Sequence, residues 1–174
     1  VVTPQPLECR KHEYQAFVDH LPHYTVVNLN RDKLYNLDCI GNKDILALTE
    51  TAPAFDAANI LRCNDDLFYL VSNSGNESGA QWLQEFLGSS KKVWPIRGVY
   101  SYMHIDSTIA LLREGLMLLN PSRITSLDQL PKPLQSWDVI WAPEPVDIGY
   151  YPGYCHGSVW VANVNLFSIN PNLV

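Results

Sequence analysis

Polar side chains recur at three points of this sequence, each directly before an apolar run of strand length, and together they include acids, bases and hydroxyls. The segments read F-D-A-A-N, H-I-D-S-T and C-H-G-S, and their candidate functional residues are Asp56, His104, Asp106, His156 and Ser158. An acid, a base and hydrogen-bond donors gathered in one cleft are what acyl-transfer-like chemistry requires. If the three segments face a common axis, the pattern predicts one shared polar site.

The pair His104 and Asp106 also has a plainer interpretation. In a capped turn, Asp106 would accept hydrogen bonds from backbone N–H groups while His104 stays half solvated. This interpretation is preferred for an isolated motif, so the other segments have to decide between the two.

The elements around these segments recur in a fixed order. In the first set, the apolar patterns predict strands at 44–48, 59–61, 67–71 and 93–96, with an amphipathic helix at 78–87. In the second set, strands at 108–112 and 116–119 flank R-E-G, a hairpin turn in which Gly115 supplies a positive φ. Ser126 then caps a short helical stretch, and a strand follows at 139–142. A third set begins with strands at 159–162 and 166–169.

The paired strands repeat about every 49 residues, so that Leu67 aligns with Leu116 and Leu166 with Met117. A β-β-α-β unit used repeatedly at this period predicts an α/β fold of propeller type. An ordinary α+β domain with coincidental spacing is the alternative. Because the third set ends after two strands, the array is expected to be incomplete.

Composition narrows the class of protein. The chain has 174 residues, 47% apolar and 17% charged, which is typical of one globular domain with a sizeable core. Its formal charge of −6 argues against nucleic acid or an anionic membrane as a partner. The apolar runs are of strand length, so neither a transmembrane helix nor a signal peptide is predicted.

The four cysteines, Cys9, Cys39, Cys63 and Cys155, form no C-x-x-C pair and lack zinc-site spacing. An even count would allow two disulfides, but the pattern favours reduced thiols buried as small hydrophobic side chains. We therefore expect a cytoplasmic protein without a metal site.

Three motifs resemble the amidinotransferase family in their order and spacing: F-D-A-A-N-I-L-R at 55–62, M-H-I-D-S-T at 103–108 and N-P-S-R at 120–123. This family includes glycine amidinotransferase and the inosamine-phosphate amidinotransferases. The resemblance implies a pentein α/β-propeller, in which five β-β-α-β modules surround a pseudo-five-fold axis. The modules of this partial domain, 1–174, would then span approximately 1–54, 55–103, 104–155 and the start of another at 156–174.

The resemblance also implies roles for five residues. Asp56 resembles the catalytic aspartate that holds a guanidinium and supports the active base, and His104 resembles the general acid/base. Asp106 is similar to a second guanidinium-binding carboxylate. Arg123 matches the arginine that grips the donor's α-carboxylate, whereas a surface arginine after a proline turn is the plainer interpretation. Ser158 lies near the family's carboxylate-binding serine, within a one-residue slip.

The implied reaction transfers the amidino group of L-arginine to an amine acceptor, glycine-like, without a cofactor. A planar guanidinium cation can pair with two carboxylates through oriented hydrogen bonds. A thiolate attacks its central carbon while His104 protonates the departing amine, and the amidino group rests on sulfur until the acceptor collects it. A clamp at Arg123 would position the donor by its far end.

The sequence departs from the family in places that bear on this reaction. The G-G-x-H-C-like segment that holds the nucleophilic cysteine is not found, so a missing segment or another chain is expected to complete the propeller. Cys155, next to His156, is either a replacement nucleophile or an ordinary loop thiol. Asn59 stands where many relatives have aspartate and Ser101 where some have asparagine, which predicts a different substrate preference.

Two other functions stay open at this point. One is a hydrolytic pentein such as an arginine deiminase, in which water replaces the acceptor amine, although the M-H-I-D form favours the transferase. The other is a degenerate pentein module that binds or supports without turnover, for which the missing nucleophile argues.

Overall fold

The computed structural model describes residues 2–3, 20, 25–26, 45–143 and 164. A short parallel pair joins β1 (Val2–Thr3) to β2 (Thr25–Val26). Two three-stranded sheets then follow one another within residues 45–143. The predicted third set of strands, together with Cys155, His156 and Ser158, lies outside the described residues.

The first sheet confirms the predicted order of strand, strand, helix and strand. Strands β3 (Ile60–Cys63) and β4 (Asp66–Leu70) form an antiparallel hairpin, and β5 (Lys92–Ile96) runs parallel to β4. Helix α1 (Glu77–Leu87) connects β4 to β5. The Asn76 side chain caps this helix by accepting a hydrogen bond from a first-turn backbone N–H, one of the groups that a helix start leaves unpaired.

The second sheet repeats this topology with a different connection. Strands β6 (Ile109–Arg113) and β7 (Leu116–Leu119) form the hairpin, and β8 (Asp138–Trp141) runs parallel to β7. Two 3₁₀ helices, Leu127–Gln129 and Lys132–Leu134, replace the α-helix. The first of them carries the predicted cap. The Ser126 hydroxyl accepts a hydrogen bond from the backbone N–H of Asp128, and the Gln129 side chain accepts one from the backbone N–H of Ser126.

One hydrophobic core joins the two sheets, and residues 49 positions apart in the sequence contribute to it as equivalent pairs. Phe68 and Leu70 of β4 are buried in the same cluster as Met117 and Leu119 of β7. Burial of each such side chain stabilises the fold by about 1.5–3 kcal/mol. The repeat detected in the sequence is therefore a repeat of inward-facing core positions.

The predicted strand at 44–48 is wrong over the described part of that range. Ile45 and Ala47 form bends, Leu46 has no regular structure, and Leu48 takes part in an isolated bridge. The physical reason is a side chain that replaces a strand partner, because the backbone N–H of Ala47 donates to Asn73 Oδ1 at 2.7 Å. Among the described residues, no helix has the length and apolar character needed to cross a membrane.

Candidate active site

Two 3₁₀ helices at equivalent points of the repeat present the first two candidate residues. Asp56 precedes the helix Ala57–Asn59, and His104 precedes the helix Ile105–Ser107. Their backbones match closely, with φ and ψ of −91° and 152° for Asp56 and −88° and 160° for His104. Neither side chain caps its own helix. Both side chains are therefore available to partners outside their own helices.

The two side chains meet each other. His104 Nε2 lies 3.0 Å from Asp56 Oδ2, across 48 residues of sequence. The imidazole is 18% exposed and the carboxyl group 6% exposed, so this hydrogen bond is largely removed from water. When the carboxyl group of Asp56 is ionised it can only accept, and the bond then requires the tautomer of His104 that carries its proton on Nε2. The other ring nitrogen, Nδ1, is then the atom that can exchange a proton with a bound molecule.

Arg123 is anchored on the 3₁₀ helix that follows His104. Its Nη1 donates to Ser107 O at 3.0 Å, to Ser107 Oγ at 2.5 Å and to Thr108 Oγ1 at 2.8 Å. Its guanidinium carbon lies 3.5 Å from the centroid of the Tyr100 ring, an arrangement that favours the cation. Arg123 is therefore a half-buried, oriented cation and not the surface residue of the plainer interpretation.

Charges near Arg123 complete this part of the site. Burial lowers the pKa of Arg123, while Tyr100 and the carboxylate of Asp106 oppose that shift. Asp106 lies on the 3₁₀ helix Ile105–Ser107, two residues after His104. Because an arginine stays protonated in proteins, the arrangement keeps a positive charge beside a carboxylate. Asp56, His104, Asp106 and Arg123 thus gather around one 3₁₀ helix, whereas Ser158 lies outside the described residues.

The two substituted positions differ in what they face. Asn59 is fully buried, and its amide nitrogen donates to Leu70 O and Ser72 Oγ while its oxygen accepts from Ser74 Oγ. Asn59 is therefore directed into the protein interior. A direct contact between its side chain and a substrate, which the expected effect on substrate preference would need, does not fit this position. Ser101, in contrast, borders a cavity of about 580 Å³.

Two features of the site were not anticipated from the sequence. Tyr100 supplies the face on which Arg123 rests, and it also lines the cavity beside Ser101. Its position four residues before His104, in Y-S-Y-M-H-I-D, was the available signal. The second feature is the serine-rich turn S-N-S-G after β4, which lies beside the segments of Asp56 and His104. Its sequence signal was weaker than that of Tyr100, since such a run is typical of an ordinary loop.

Cys63 is the cysteine that falls within residues 45–143. It lies on β3 as a half-buried free thiol. Burial raises its pKa first, and the carboxylates of Glu114 and Asp66 raise it further. A nucleophilic cysteine needs the opposite environment, one that favours the thiolate. Cys63 therefore does not supply the sulfur chemistry expected from the motifs.

Comparisons with known proteins agree with the motif order. No protein-family model matches the chain. Over 126 residues it is 52% identical to inosamine-phosphate amidinotransferase 1 of Streptomyces glaucescens, covering 72% of this chain and 36% of that protein. It is 35% identical over 130 residues to the L-arginine:L-lysine amidinotransferase of Pseudomonas savastanoi pv. phaseolicola, covering 74% of this chain and 34% of that protein.

Solved structures give the same picture. The inosamine-phosphate amidinotransferase of Streptomyces griseus superimposes with a TM-score of 0.85 at 39% identity, covering 98% of this chain and 50% of that chain. DDAH from Pseudomonas aeruginosa superimposes with a TM-score of 0.55 at 16% identity, covering 94% of this chain and 52% of that chain, a likeness of fold alone.

These likenesses and the two repeated sheets define the class: a mixed α/β protein of the pentein fold. Within that class, the chain belongs to the amidinotransferase family. It spans about a third of the length of the curated relatives it matches and half of the solved Streptomyces griseus chain.

Proposed function

We propose that this chain forms part of an amidinotransferase that takes the amidino group of L-arginine and passes it to an amine. The observation that carries the proposal is the 3.0 Å contact between His104 Nε2 and Asp56 Oδ2, with Arg123 anchored on the adjacent helix. Membership of the amidinotransferase family supports it. The arginine donor and the cysteine step are part of the proposal.

Binding of the donor would use charges at both of its ends. The carboxylates of Asp56 and Asp106 suit the guanidinium, because a planar cation makes paired, charge-assisted hydrogen bonds with carboxylates. Arg123 suits the α-carboxylate at the other end. Three bonds from Nη1 and the Tyr100 ring fix its plane, so little side-chain freedom is lost when a carboxylate binds. Ser158 would add a hydroxyl to this carboxylate site.

Proton transfer would proceed through Nδ1 of His104. A thiolate forms a bond to the guanidinium carbon Cζ, the bond from Cζ to Nε of the arginine breaks, and imidazolium Nδ1 delivers to that nitrogen the proton that completes the amine of ornithine. The ring that remains keeps its Nε2 proton on Asp56, in agreement with the observed contact. In the return step the acceptor amine gives its proton to Nδ1, attacks the amidino carbon and releases the thiolate.

The thiolate itself is proposed to come from outside the described residues. Cys63 has a raised pKa and does not suit the role. A missing segment or another chain that completes the propeller is the proposed source, as expected from the G-G-x-H-C-like motif of the family. Cys155 is the candidate within residues 1–174. The cytoplasmic location indicated by the cysteine pattern stays a prediction.

The acceptor is proposed to be an inosamine phosphate. Relatives named for that acceptor are 52%, 50% and 49% identical to this chain, whereas the L-arginine:L-lysine enzyme is 35% identical and a glycine amidinotransferase of Danio rerio is 32% identical. These identities favour inosamine phosphate over the glycine-like acceptor expected from the motifs.

The products of a reaction with arginine distinguish the candidate functions. The protein that contains this chain and its nucleophilic segment should form ornithine from arginine only when an acceptor amine is present, as measured by mass spectrometry. Citrulline and ammonia would instead identify a hydrolase. Saturable arginine binding without either product would identify a binding module.

A second arm of this experiment locates the sulfur. The 174-residue chain alone should bind arginine and form no ornithine, because its described thiol is unsuited to carry the group. Ornithine production by this chain that disappears in Cys155→Ala would overturn that expectation and identify Cys155 as the nucleophile.

A further inference from the structure

The turn at 72–75, between β4 and α1, contacts both segments that carry the Asp56–His104 pair. On one side, the backbone N–H of Asp56 donates to Ser74 O at 3.0 Å. On the other side, Ser72 Oγ donates to Met103 O at 2.5 Å, next to His104. The backbone N–H of Asn73 adds a second bond to this segment, to Ser101 O at 2.8 Å.

Ser72 lies at the centre of this arrangement. It is fully buried, and its oxygen accepts from Asn59 Nδ2 at 3.0 Å and from the backbone N–H of Ser74 at 3.2 Å. Its single proton has two acceptors within reach, Met103 O at 2.5 Å and Ser74 Oγ at 3.1 Å. Because a carbonyl oxygen can only accept, the shorter contact requires the Ser72 hydroxyl to donate to Met103 O. A buried, fully bonded network of this kind holds its members in one arrangement.

We propose that Ser72 is a positioning residue for the acid/base pair, because its hydroxyl holds the segment before His104 at the distance that lets Nε2 reach Asp56. The effect of Ser72 on catalysis rests on the proposed function. Its effect on the position of His104 rests on the geometry alone. Asp56 and His104 come from different units of the repeat, so the bond between them needs a common support. The 72–75 turn is that support.

The chain offers a matched control at Ser74. Its hydroxyl is almost as buried as that of Ser72 and belongs to the same network, donating to Asn59 Oδ1 at 3.0 Å and lying 3.1 Å from Ser72 Oγ itself. No bond from that hydroxyl to residues 101–104 is found among the described contacts. Ser74→Ala therefore removes a buried network hydroxyl while leaving the bond to Met103 in place.

The first measurement uses the chain alone and does not depend on its activity. The ¹⁵N chemical shifts of the His104 imidazole report which ring nitrogen carries the proton and whether it is hydrogen-bonded. In the parent chain, in Ser74→Ala and in Ser72→Thr, which keeps the hydroxyl, we expect one Nε2–H form bonded to Asp56. In Ser72→Ala we expect that signature to be lost.

The second measurement uses the active protein with its nucleophilic segment. Ser72→Ala should lower kcat by roughly 10²-fold, since a misplacement of about 1 Å has that effect on reacting groups. The KM for arginine should change less than kcat, because Ser72 is not among the residues proposed to bind the donor. Ser72→Thr should restore kcat. If Ser72→Ala fails to fold, Ser72→Cys fills the same volume with a weaker donor and gives the same comparison.

An unchanged His104 signature in folded Ser72→Ala or Ser72→Cys would overturn the proposal, whatever the activity. Equal loss of the signature in Ser74→Ala would also overturn it, because the effect would then be general destabilisation. If the signature responds as expected and no ornithine forms with the parent protein, the proposed function fails while the positioning role stands.

Discussion

The two sheets have the same strand topology, yet among the described residues the turn after the second strand contributes differently to the site in each hairpin. After β4, the 72–75 turn reaches forward along the chain, to the backbone of Ser101 and Met103. After β7, the 120–123 turn reaches back, and Arg123 binds the 3₁₀ helix Ile105–Ser107 of its own unit.

This difference shows where a repeated scaffold becomes a functional site. The strands and the 3₁₀ helices repeat because they carry the shared core and leave little freedom for change. The turn at the end of the second strand contains buried residues in both units but is not part of a strand, and it holds the hydroxyls of Ser72 and Ser74 in one unit and the cation of Arg123 in the other. One unit thereby supplies support, and the other supplies a charged group to the same site.

The largest expected effect comes from breaking the contact between the two units. His104→Ala should lower amidino transfer by about 10²- to 10⁴-fold, the range that general acid–base catalysis contributes. Asp56→Asn should have an effect of similar size, because an amide nitrogen donates to Nε2 and moves the ring proton to Nδ1. Ornithine formation with saturating arginine measures both.

Glu114→Gln is the control for these variants, since it removes an exposed carboxylate from the hairpin turn of the second sheet. Transfer by this variant should match the parent. Nearly full activity of Asp56→Asn would show that the tautomer of His104 does not matter and would contradict the proposed proton path.

Arg123→Lys tests the turn of the second unit. Lysine keeps the charge but loses both the oriented bonds of Nη1 to Ser107 and the stacking on Tyr100. A charge-assisted hydrogen bond contributes about 1.5–3 kcal/mol, so the KM for arginine should rise about 10- to 100-fold with kcat retained.

Arg97→Lys is the matched control, because Arg97 forms an exposed ion pair with Glu77 in the first unit. Exposed pairs contribute about 0–1 kcal/mol, so this variant should leave both kinetic constants near their parent values. A fall in kcat alone for Arg123→Lys would mean that this side chain acts on the reacting atoms rather than on the donor's far end.

The sequence was sufficient for the repeat, because repetition is carried by apolar periodicity. Phe68 and Met117 align at 49 residues and both face the common core, as the pattern predicts. The contact between Asp56 and His104 could also be expected from the sequence, since polar residues at equivalent points of a repeat face the same way.

The remaining features depend on tertiary contacts that leave little trace in a pattern. Ala47, at one of the two bends, donates its backbone N–H to the Asn73 side chain, and no local preference predicts that partner. The burial of Asn59 likewise depends on hydroxyls of the 72–75 turn, more than ten residues away. Spacing identifies which positions face a site, but it does not show which polar groups are already hydrogen-bonded to other residues inside the protein.

A smaller effect compares glycines of the two units. At Gly75 an added Cβ would lie 2.8 Å from Asn59 Nδ2 and 2.8 Å from the Tyr69 hydroxyl, both buried and hydrogen-bonded. Gly75→Ala should therefore lower the free energy of unfolding by about 3 kcal/mol, as overpacking does. At Gly115, φ is +80° and no atom lies within 4 Å of the added Cβ, so Gly115→Ala should cost about 1 kcal/mol of backbone strain.

Urea unfolding followed by circular dichroism compares these two variants at equal denaturant slope. Gly75→Ala should also disturb the ¹⁵N signature of His104, whereas Gly115→Ala should not. Equal destabilisation of both variants would mean that the 72–75 turn can relax, which would weaken its role as the common support.

The smallest expected effect concerns the hairpin turn of the first unit, where Asp65 pairs with Lys91 Nζ at 2.5 Å. The hydrogen bond and the charge of Lys91 lower the pKa of Asp65 below its ordinary value of 3.8. A carboxyl group whose pKa is lower in the folded state stabilises the fold above the unfolded value, and this contribution is lost as the pH falls through the folded value. Asp65→Asn should therefore be slightly less stable than the parent near pH 7, and the difference should vanish in strong acid. Because the Asp65 side chain is 81% exposed, 1 M salt should also remove most of the difference.

Thermal unfolding of parent, Asp65→Asn and Lys91→Gln from pH 2 to pH 7 measures this difference in stability, and Lys91→Gln should lose the same increment over the same range. A difference between parent and Asp65→Asn that persists below the folded pKa and in 1 M salt would show that Asp65 acts through the backbone of the Asn64–Asp65 turn, where φ of Asn64 is +52°, and not through its charge.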